Sequence, residues 1–240
     1  MPSIADVVTM LVADPKPVVC LDACDILEVV QCLGWETQFT ARNTDCVAGA
    51  RHLLTALTTD PNRAIVVITE LVAIEWNQNI AKIRTNAIRF LSEVDDIVHR
   101  SYRAAVRAGI TLQAYTDISA SLLVDNLVEL SKALLNQATR IDLEDTGIKL
   151  AVERVKAKLR PSHDGHIKDS IHFEHYLELA RRLRSAGFAE ECIFVSKNKK
   201  DFWNGPHPSI HIDLASEIDD PAVGIRFFGS IEAAIGHLHL

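Results

Sequence analysis

The chain has 240 residues, 48% of them hydrophobic and 24% charged, with a formal net charge of −7 at pH 7. That balance describes a globular protein. With no run near the roughly eighteen apolar residues that span a bilayer, and no basic-then-apolar leader, it predicts a cytoplasmic protein without membrane partners. The acidic surplus argues against coating nucleic acid through the overall field. A nuclease remains open, because a metal-binding cluster of acids adds negative charge by itself.

In chain order, residues 1–16 read as a short helix leading into Pro15 and Pro17. The apolar run Val18-Val19-Cys20-Leu21 reads as a buried strand with Asp22 at its carboxyl end. Residues 23–33 form the next expected helix, stopped by Gly34, and 43–57 another, with Val47, Ala50, Leu54 and Leu57 on one face. A turn at Asp60-Pro61-Asn62 precedes a second buried strand, Ile65 to Ile68, and Thr69 is a suitable N-cap for the helix LVAIEWNQNIAKI. Strand, helices, strand and helix in that order predict a parallel sheet with right-handed crossovers.

From 81 to 159 the strand pattern disappears. Leu123, Leu127, Leu130 and Leu134, then Ile148, Val152, Val155 and Leu159, recur at helical spacing. Residues 86–161 therefore read as a helical insertion or cap within a single domain covering 1–240. Its basic run Lys149, Arg154, Lys156, Lys158 and Arg160 reads as a solvated helix face. The pattern resumes with a helix whose inward stripe is Phe173, Tyr176, Leu177, Ala180 and Leu183, ended by Ala186-Gly187. A buried strand, Cys192 to Val195, and the polar turn SKNKKDF follow. Trp203 to Ser209 reads as a loop, Gly224 to Phe228 as a last strand, and the C-terminus as a short helix. The expected architecture is a three-layer α/β/α sandwich around a parallel sheet.

Ligands of open α/β sheets bind beyond the carboxyl ends of the strands. Asp22 falls there, Asp169 opens the helix before the 192–195 strand, Glu75 lies in the helix after the second strand, and Ser196, Asn198 and Asp201 follow the third. Oxygen-rich clusters of this kind suit Mg²⁺ or Mn²⁺, which bind phosphate oxygens directly. Each acid also has a plainer reading: Asp169 complements its helix dipole, and Asp22 caps the helix that follows it. The five cysteines are odd in number, lack CxxC spacing and read as reduced core residues. The ten histidines lack the companion ligands of a zinc site, although His163 and His166 precede Asp169 closely enough to meet a substrate there. No GxSxG, GxGxxG or GxxxxGK[ST] occurs.

The succession VVCLDACDIL, ITELVAIEW, KDSIHFEHYLELARRL and IFVSKNKKDF resembles the PIN-domain family over residues 18–85 and 162–235. The resemblance implies a metal-dependent ribonuclease. Asp22 matches the family's first acid, Glu75 its second (with Glu70 as the rival), and Asp169 the acid opening the later helix. Ser196 fits the family's hydroxyl position, whereas Asn198 replaces the usual aspartate and Asp201-Phe202 comes one residue late. On this resemblance Asp22, Glu75, Asp169 and Asp201 are the expected ligands of Mg²⁺ or Mn²⁺. Asn198 joins Asp22, Glu75 and Asp169 in catalysis, Ser196 orients water or phosphate, and Lys197, Lys199 and Lys200 neutralise the phosphates of single-stranded RNA. The alternatives are a PIN-fold module that binds RNA or protein without cutting, and a toxin restrained by an antitoxin chain. A homodimer is a further expectation from the family.

Overall fold

The computed structural model describes residues 1–32, 42–61, 63–205 and 207–240. Its elements are α1 (Ile4–Ala13), β1 (Val18–Leu21), α2 (Ala23–Gln31), α3 (Arg42–Thr59), β2 (Ile65–Thr69) and α4 (Glu70–Arg107). There follow α5 (Leu123–Gln137), β3 (Thr139–Ile141), α6 (Asp145–Lys156), α7 (Ile167–Ser185), β4 (Cys192–Val195) and α8 (Lys199–Phe202). The chain closes with β5 (Trp203–Asn204), β6 (His207–Ile210), α9 (Ile212–Ile218), β7 (Ile225–Phe228) and α10 (Ile231–Leu238). Gly34 and Asn62, read above as a helix stop and part of a turn, lie outside the described residues.

Among the described residues the main sheet has five strands in the order β3-β2-β1-β4-β7, with every neighbouring pair parallel. The chain lays down β1, β2 and β3 in one direction, then returns past β1 to add β4 and β7. The order therefore reverses between β1 and β4, and the carboxyl ends of strands at such a reversal are where open α/β sheets bind ligands. Successive strand residues face opposite sides. Val19 and Leu21 enter a core shared with α2, α3, α4, α5 and α10, while Val18 and Cys20 enter a second core shared with α1, α7 and α9. Helices on both faces of a parallel sheet make the expected three-layer α/β/α sandwich.

The α7 stripe predicted from spacing is buried in full: Phe173, Tyr176, Leu177, Ala180 and Leu183 are each at most 2% exposed. The helix ends as expected at Gly187, whose φ of +82° favours glycine. Phe188 N–H then returns to Leu183 O at 3.0 Å, which satisfies a carbonyl that the helix end would otherwise orphan.

Four expectations need correction. A strand does lie between 81 and 159: β3 pairs with β2 through Val67–Thr139, Ile68–Arg140 and Thr69–Ile141. Its Thr-Arg-Ile sequence carries no apolar run because an edge strand buries only part of its surface. Residues 86–161 are thus mostly helical yet supply one margin of the sheet. Second, α6 buries Gly147, Ala151 and Arg154 rather than the Ile148–Val152–Val155 face, and Leu159 is 52% exposed. Gly147 is needed there, since a Cβ on it would stand 2.5 Å from His175 Cε1 on α7. Third, Arg154 is not part of a solvated basic face; it is 7% exposed and ion-paired to Glu174 and Glu217. Fourth, the stretch from Trp203 is not a plain loop, because β5 and β6 pair as a short antiparallel ribbon.

Candidate functional site

The crevice at the β1/β4 reversal is where the predicted residues meet. Asp22 follows β1 directly and occupies the N-cap position of α2, but its side chain makes no cap bond. The carboxylate turns across the reversal instead. Ser196, the first residue after β4, donates its hydroxyl to Asp22 Oδ2 at 2.9 Å, and the Cys24 thiol donates to the same oxygen at 3.2 Å. Asp22 and Ser196 are almost wholly buried, at 3% and 0% exposed, so the carboxylate is held rigidly at the base of the crevice.

Glu75 reaches the crevice from the second turn of α4. Its ligand atom, that of Asp22 and that of His172 all lie within 4.8 Å of one another. Lys168 pairs with Glu75 at 3.0 Å, and His172 Nε2 stands 3.4 Å from Glu75 Oε2. Burial raises the Glu75 carboxyl, but His172 and Lys168 outweigh it, and the group lies below its ordinary value. Glu70, the rival position, sits in the first turn of α4, where an acid complements the helix dipole. Thr69 is the N-cap residue by position, yet its hydroxyl is spent on His172 Nδ1 at 2.6 Å and not on the helix. That contact fixes the imidazole ring, as the partners of metal-ligating histidines do.

Asp169 enters from the first turn of α7. Burial above all, then the charges of Asp22, Asp201 and Glu75, raises its carboxyl from 3.8 to about 7, against the opposing pull of His172. Four predicted acids, carried by four separate elements, therefore lie near enough for the charges of the other three to act on Asp169. A folded pKa above the unfolded one favours the folded chain below the unfolded value, and the contribution is lost as pH rises through the folded value. The metal-free wild type is expected to lose thermal stability between about pH 4 and about pH 7 more steeply than Asp169→Asn. Parallel melting curves for the two proteins over that range would overturn the assignment.

Asp201, 5% exposed, is held by its neighbours in the SKNKKDF turn. Asn198 Nδ2 donates to Asp201 Oδ2 at 3.0 Å, and Asn198 Oδ1 accepts the Asp201 N–H at 3.4 Å as the cap of α8. The Asn198 side chain is thus committed to placing Asp201. Asp201 Oδ1 is buried without a hydrogen bond, 3.5 Å from His163 Nδ1, which also lacks one. The lysines behave unequally. Lys197 folds onto Glu28 at 2.9 Å, Lys200 pairs with Asp164, and Lys199 is exposed with its ammonium 5.3 Å over the Trp203 ring.

Sequence reasoning missed Asp25, Cys24 and His172. Asp25 and Cys24 share a cluster with Asp22 whose ligand atoms also lie within 4.8 Å of one another. Burial, then the Asp22 charge, pushes the Asp25 carboxyl well up. The signal for His172 was its position three residues after Asp169, which puts both on one face of α7. His175, three residues further, faces α6 instead and accepts the Glu144 N–H at 2.8 Å.

The donor set suits a hard divalent cation. Carboxylate oxygens predominate, and the Asp201 Oδ1 atom is buried without a hydrogen bond. The nearby sulfur is ill-suited to the role, because burial pushes the Cys24 thiol well above its usual value. Comparison of the chain with protein-family models, with curated proteins and with solved structures returns no match. No helix among the described residues is long and apolar enough to cross a membrane.

Proposed function

We propose that this chain is a metal-dependent endoribonuclease of the PIN-domain kind, hydrolysing phosphodiester bonds of single-stranded RNA in the pocket of Asp22, Glu75, Asp169 and Asp201. The observation that carries the reading is the gathering of acids at the sheet reversal, where burial first, and then the charges of Asp22, Asp201 and Glu75, raise Asp169 to about 7. Like charges at a buried edge are unfavourable by themselves and become favourable around a cation. Mg²⁺ or Mn²⁺ held by these four carboxylates would supply Lewis-acid charge to a phosphodiester oxygen and lower the pKa of a water.

The chain's own residues set the stage for that chemistry. Ser196 and Cys24 aim Asp22, Lys168 and His172 aim Glu75, and Asn198 aims Asp201. Lys199, exposed on the lip, is the best placed of the three lysines for a flanking phosphate, since Lys197 and Lys200 already hold carboxylates. A second reading, a PIN-fold module that binds RNA or a protein without cutting, draws on Asn198, which stands where the family pattern has an acid and is spent on Asp201. We propose a homodimer and an antitoxin partner from the same resemblance, and a cytoplasmic location from the five cysteines, which lack disulfide-like spacing.

The test is cleavage of end-labelled single-stranded RNA in Mn²⁺, in Mg²⁺ and in EDTA, with Asp22→Asn alongside. Metal-dependent cutting that falls about a thousandfold in the variant is expected, since metal and ligand together supply several kcal/mol to such a transition state. Equally inert proteins that still bind RNA would move the assignment to the binding module. Equal cutting by both would remove Asp22 from the centre.

A further inference from the structure

One nitrogen donor stands among the acids of the candidate site. His172 lies on α7 three residues after Asp169 and is 1% exposed. Thr69 Oγ1 stands 2.6 Å from its Nδ1, and the Tyr176 ring stacks on the imidazole with centroids 6.5 Å apart. The Tyr176 hydroxyl is itself anchored, donating to Leu21 O at 2.6 Å. A threonine hydroxyl accepts as well as donates, so it can take the Nδ1 proton and leave the Nε2 lone pair toward the carboxylates. Nε2 meets Glu75 Oε2 only at 3.4 Å, longer than the roughly 3.2 Å limit of an ordinary N–H···O bond. His175, on the next turn, is a useful contrast. Its Nδ1 faces Ile171 O at 2.7 Å and its Nε2 accepts the Glu144 N–H at 2.8 Å, so both nitrogens serve the backbone. His172 has one nitrogen on a hydroxyl and the other turned to acids. Ligand atoms of Asp22, Glu75 and His172 lie within 4.8 Å of one another, and one cation with bonds of about 2.1 Å can bridge such a set.

We propose that His172 Nε2 is a ligand of the divalent cation, forming with Asp22 and Glu75 a mixed nitrogen–oxygen site that prefers Mn²⁺ to Mg²⁺. The inference rests on the metal-dependent reading above and adds a donor that the four carboxylates do not supply. Oxygen ligands alone suit Mg²⁺, whereas an imidazole nitrogen strengthens the binding of first-row transition ions. Thr69 is then a positioning residue, because its hydroxyl sets the rotation of the ring and so the direction of Nε2. Lys168, half-exposed, pairs with Glu75 Oε1 at 3.0 Å, which leaves Oε2 on the side of His172.

The experiment loads the full chain with Mn²⁺ and records its electron spin-echo modulation, which detects a nitrogen nucleus bonded to the ion. Mg²⁺ is then titrated against the bound Mn²⁺ in the wild type and in His172→Gln. Nitrogen modulation is expected in the wild type and is expected to vanish in His172→Gln. Mn²⁺ affinity should fall about tenfold in that variant while Mg²⁺ affinity changes less than about threefold. Mn²⁺ bound to the wild type without nitrogen modulation would overturn the inference. Modulation that persists in His172→Gln would do the same, since another histidine would then be the ligand. Should His172→Gln fail to fold, Thr69→Val reads the same point: Mn²⁺ affinity is expected to fall with Mg²⁺ affinity held, and equal losses for both ions would overturn the proposal. Nitrogen-bound Mn²⁺ in a chain that cuts no RNA would remove the nuclease reading and keep this one. RNA cleavage with an all-oxygen Mn²⁺ site would do the reverse, and a wild type that binds no Mn²⁺ would overturn both.

Discussion

Replacing Asp22 by Asn is expected to erase the rise in thermal midpoint that Mn²⁺ gives the wild-type protein. A ligand at about one hundred times its dissociation constant stabilises the folded state by about 2.7 kcal/mol. In a chain of this size 1 kcal/mol moves the midpoint by about 2–4 °C, so the wild type should gain roughly 5–10 °C. Asp22 is the residue to change because the rest of the pocket is arranged around it. Its carboxylate accepts from Ser196 and Cys24, shares one ligand cluster with Glu75 and His172, and belongs to a second with Cys24 and Asp25. An asparagine keeps an oxygen for the Ser196 hydroxyl while removing the charge. The metal-free variant should therefore melt no lower than the metal-free wild type, since repulsion on Asp169 and Asp25 is relieved. Calorimetry of both proteins with and without Mn²⁺ reads this directly. An undiminished metal response in the variant would show that the cation sits elsewhere.

Phe194→Ala is expected to be the most damaging core substitution, at about 3–5 kcal/mol. Phe194 is 1% exposed, and its ring lies 5.0 Å from Phe202, 5.6 Å from Tyr176, 5.8 Å from Phe227 and 6.1 Å from Phe173, centroid to centroid. It thereby ties β4 to α7, α8 and β7. The tie to Phe202 bears on the pocket, because Phe202 follows Asp201 in the chain, and Phe194 itself precedes Ser196 by two residues. Loss of the ring should lower the urea midpoint and also weaken the Mn²⁺ response by loosening Asp201. A change under about 1 kcal/mol would show that the aromatic cluster closes without Phe194.

Much of this organisation is legible in one dimension. The strands β1, β2 and β4 announce themselves because strands buried on both faces must be apolar throughout, and VVCL, IVVIT and CIFV are nearly so. The α7 stripe is legible because every residue of it is apolar and meets a continuous core. β3 escaped because an edge strand of three residues has neither length nor an apolar run. The buried face of α6 escaped for a different reason: it consists of Gly147, Ala151 and Arg154, and the arginine is stabilised by Glu174 and Glu217 on other elements. Periodicity counts apolar residues and cannot register a buried charge whose partners lie distant in sequence.

The candidate pocket divides along the same line. Sequence by itself determined that Asp22 and Ser196 stand at the carboxyl ends of parallel strands, because strand length and the first polar residue after it are local properties. It determined too that Asp169 opens a helix and that Asp201 follows the β4 turn. Tertiary structure alone decided that these acids share one pocket, that His172 and Asp25 belong with them, and that Asn198 serves Asp201. It also seated Lys197 on Glu28. The reason lies in the crossovers, which return β4 to the side of β1 and so bring together residues 22, 75, 169 and 201. Proximity of that kind is set by the order of strands in space, and strand order is fixed by packing between elements, not by any segment's own pattern.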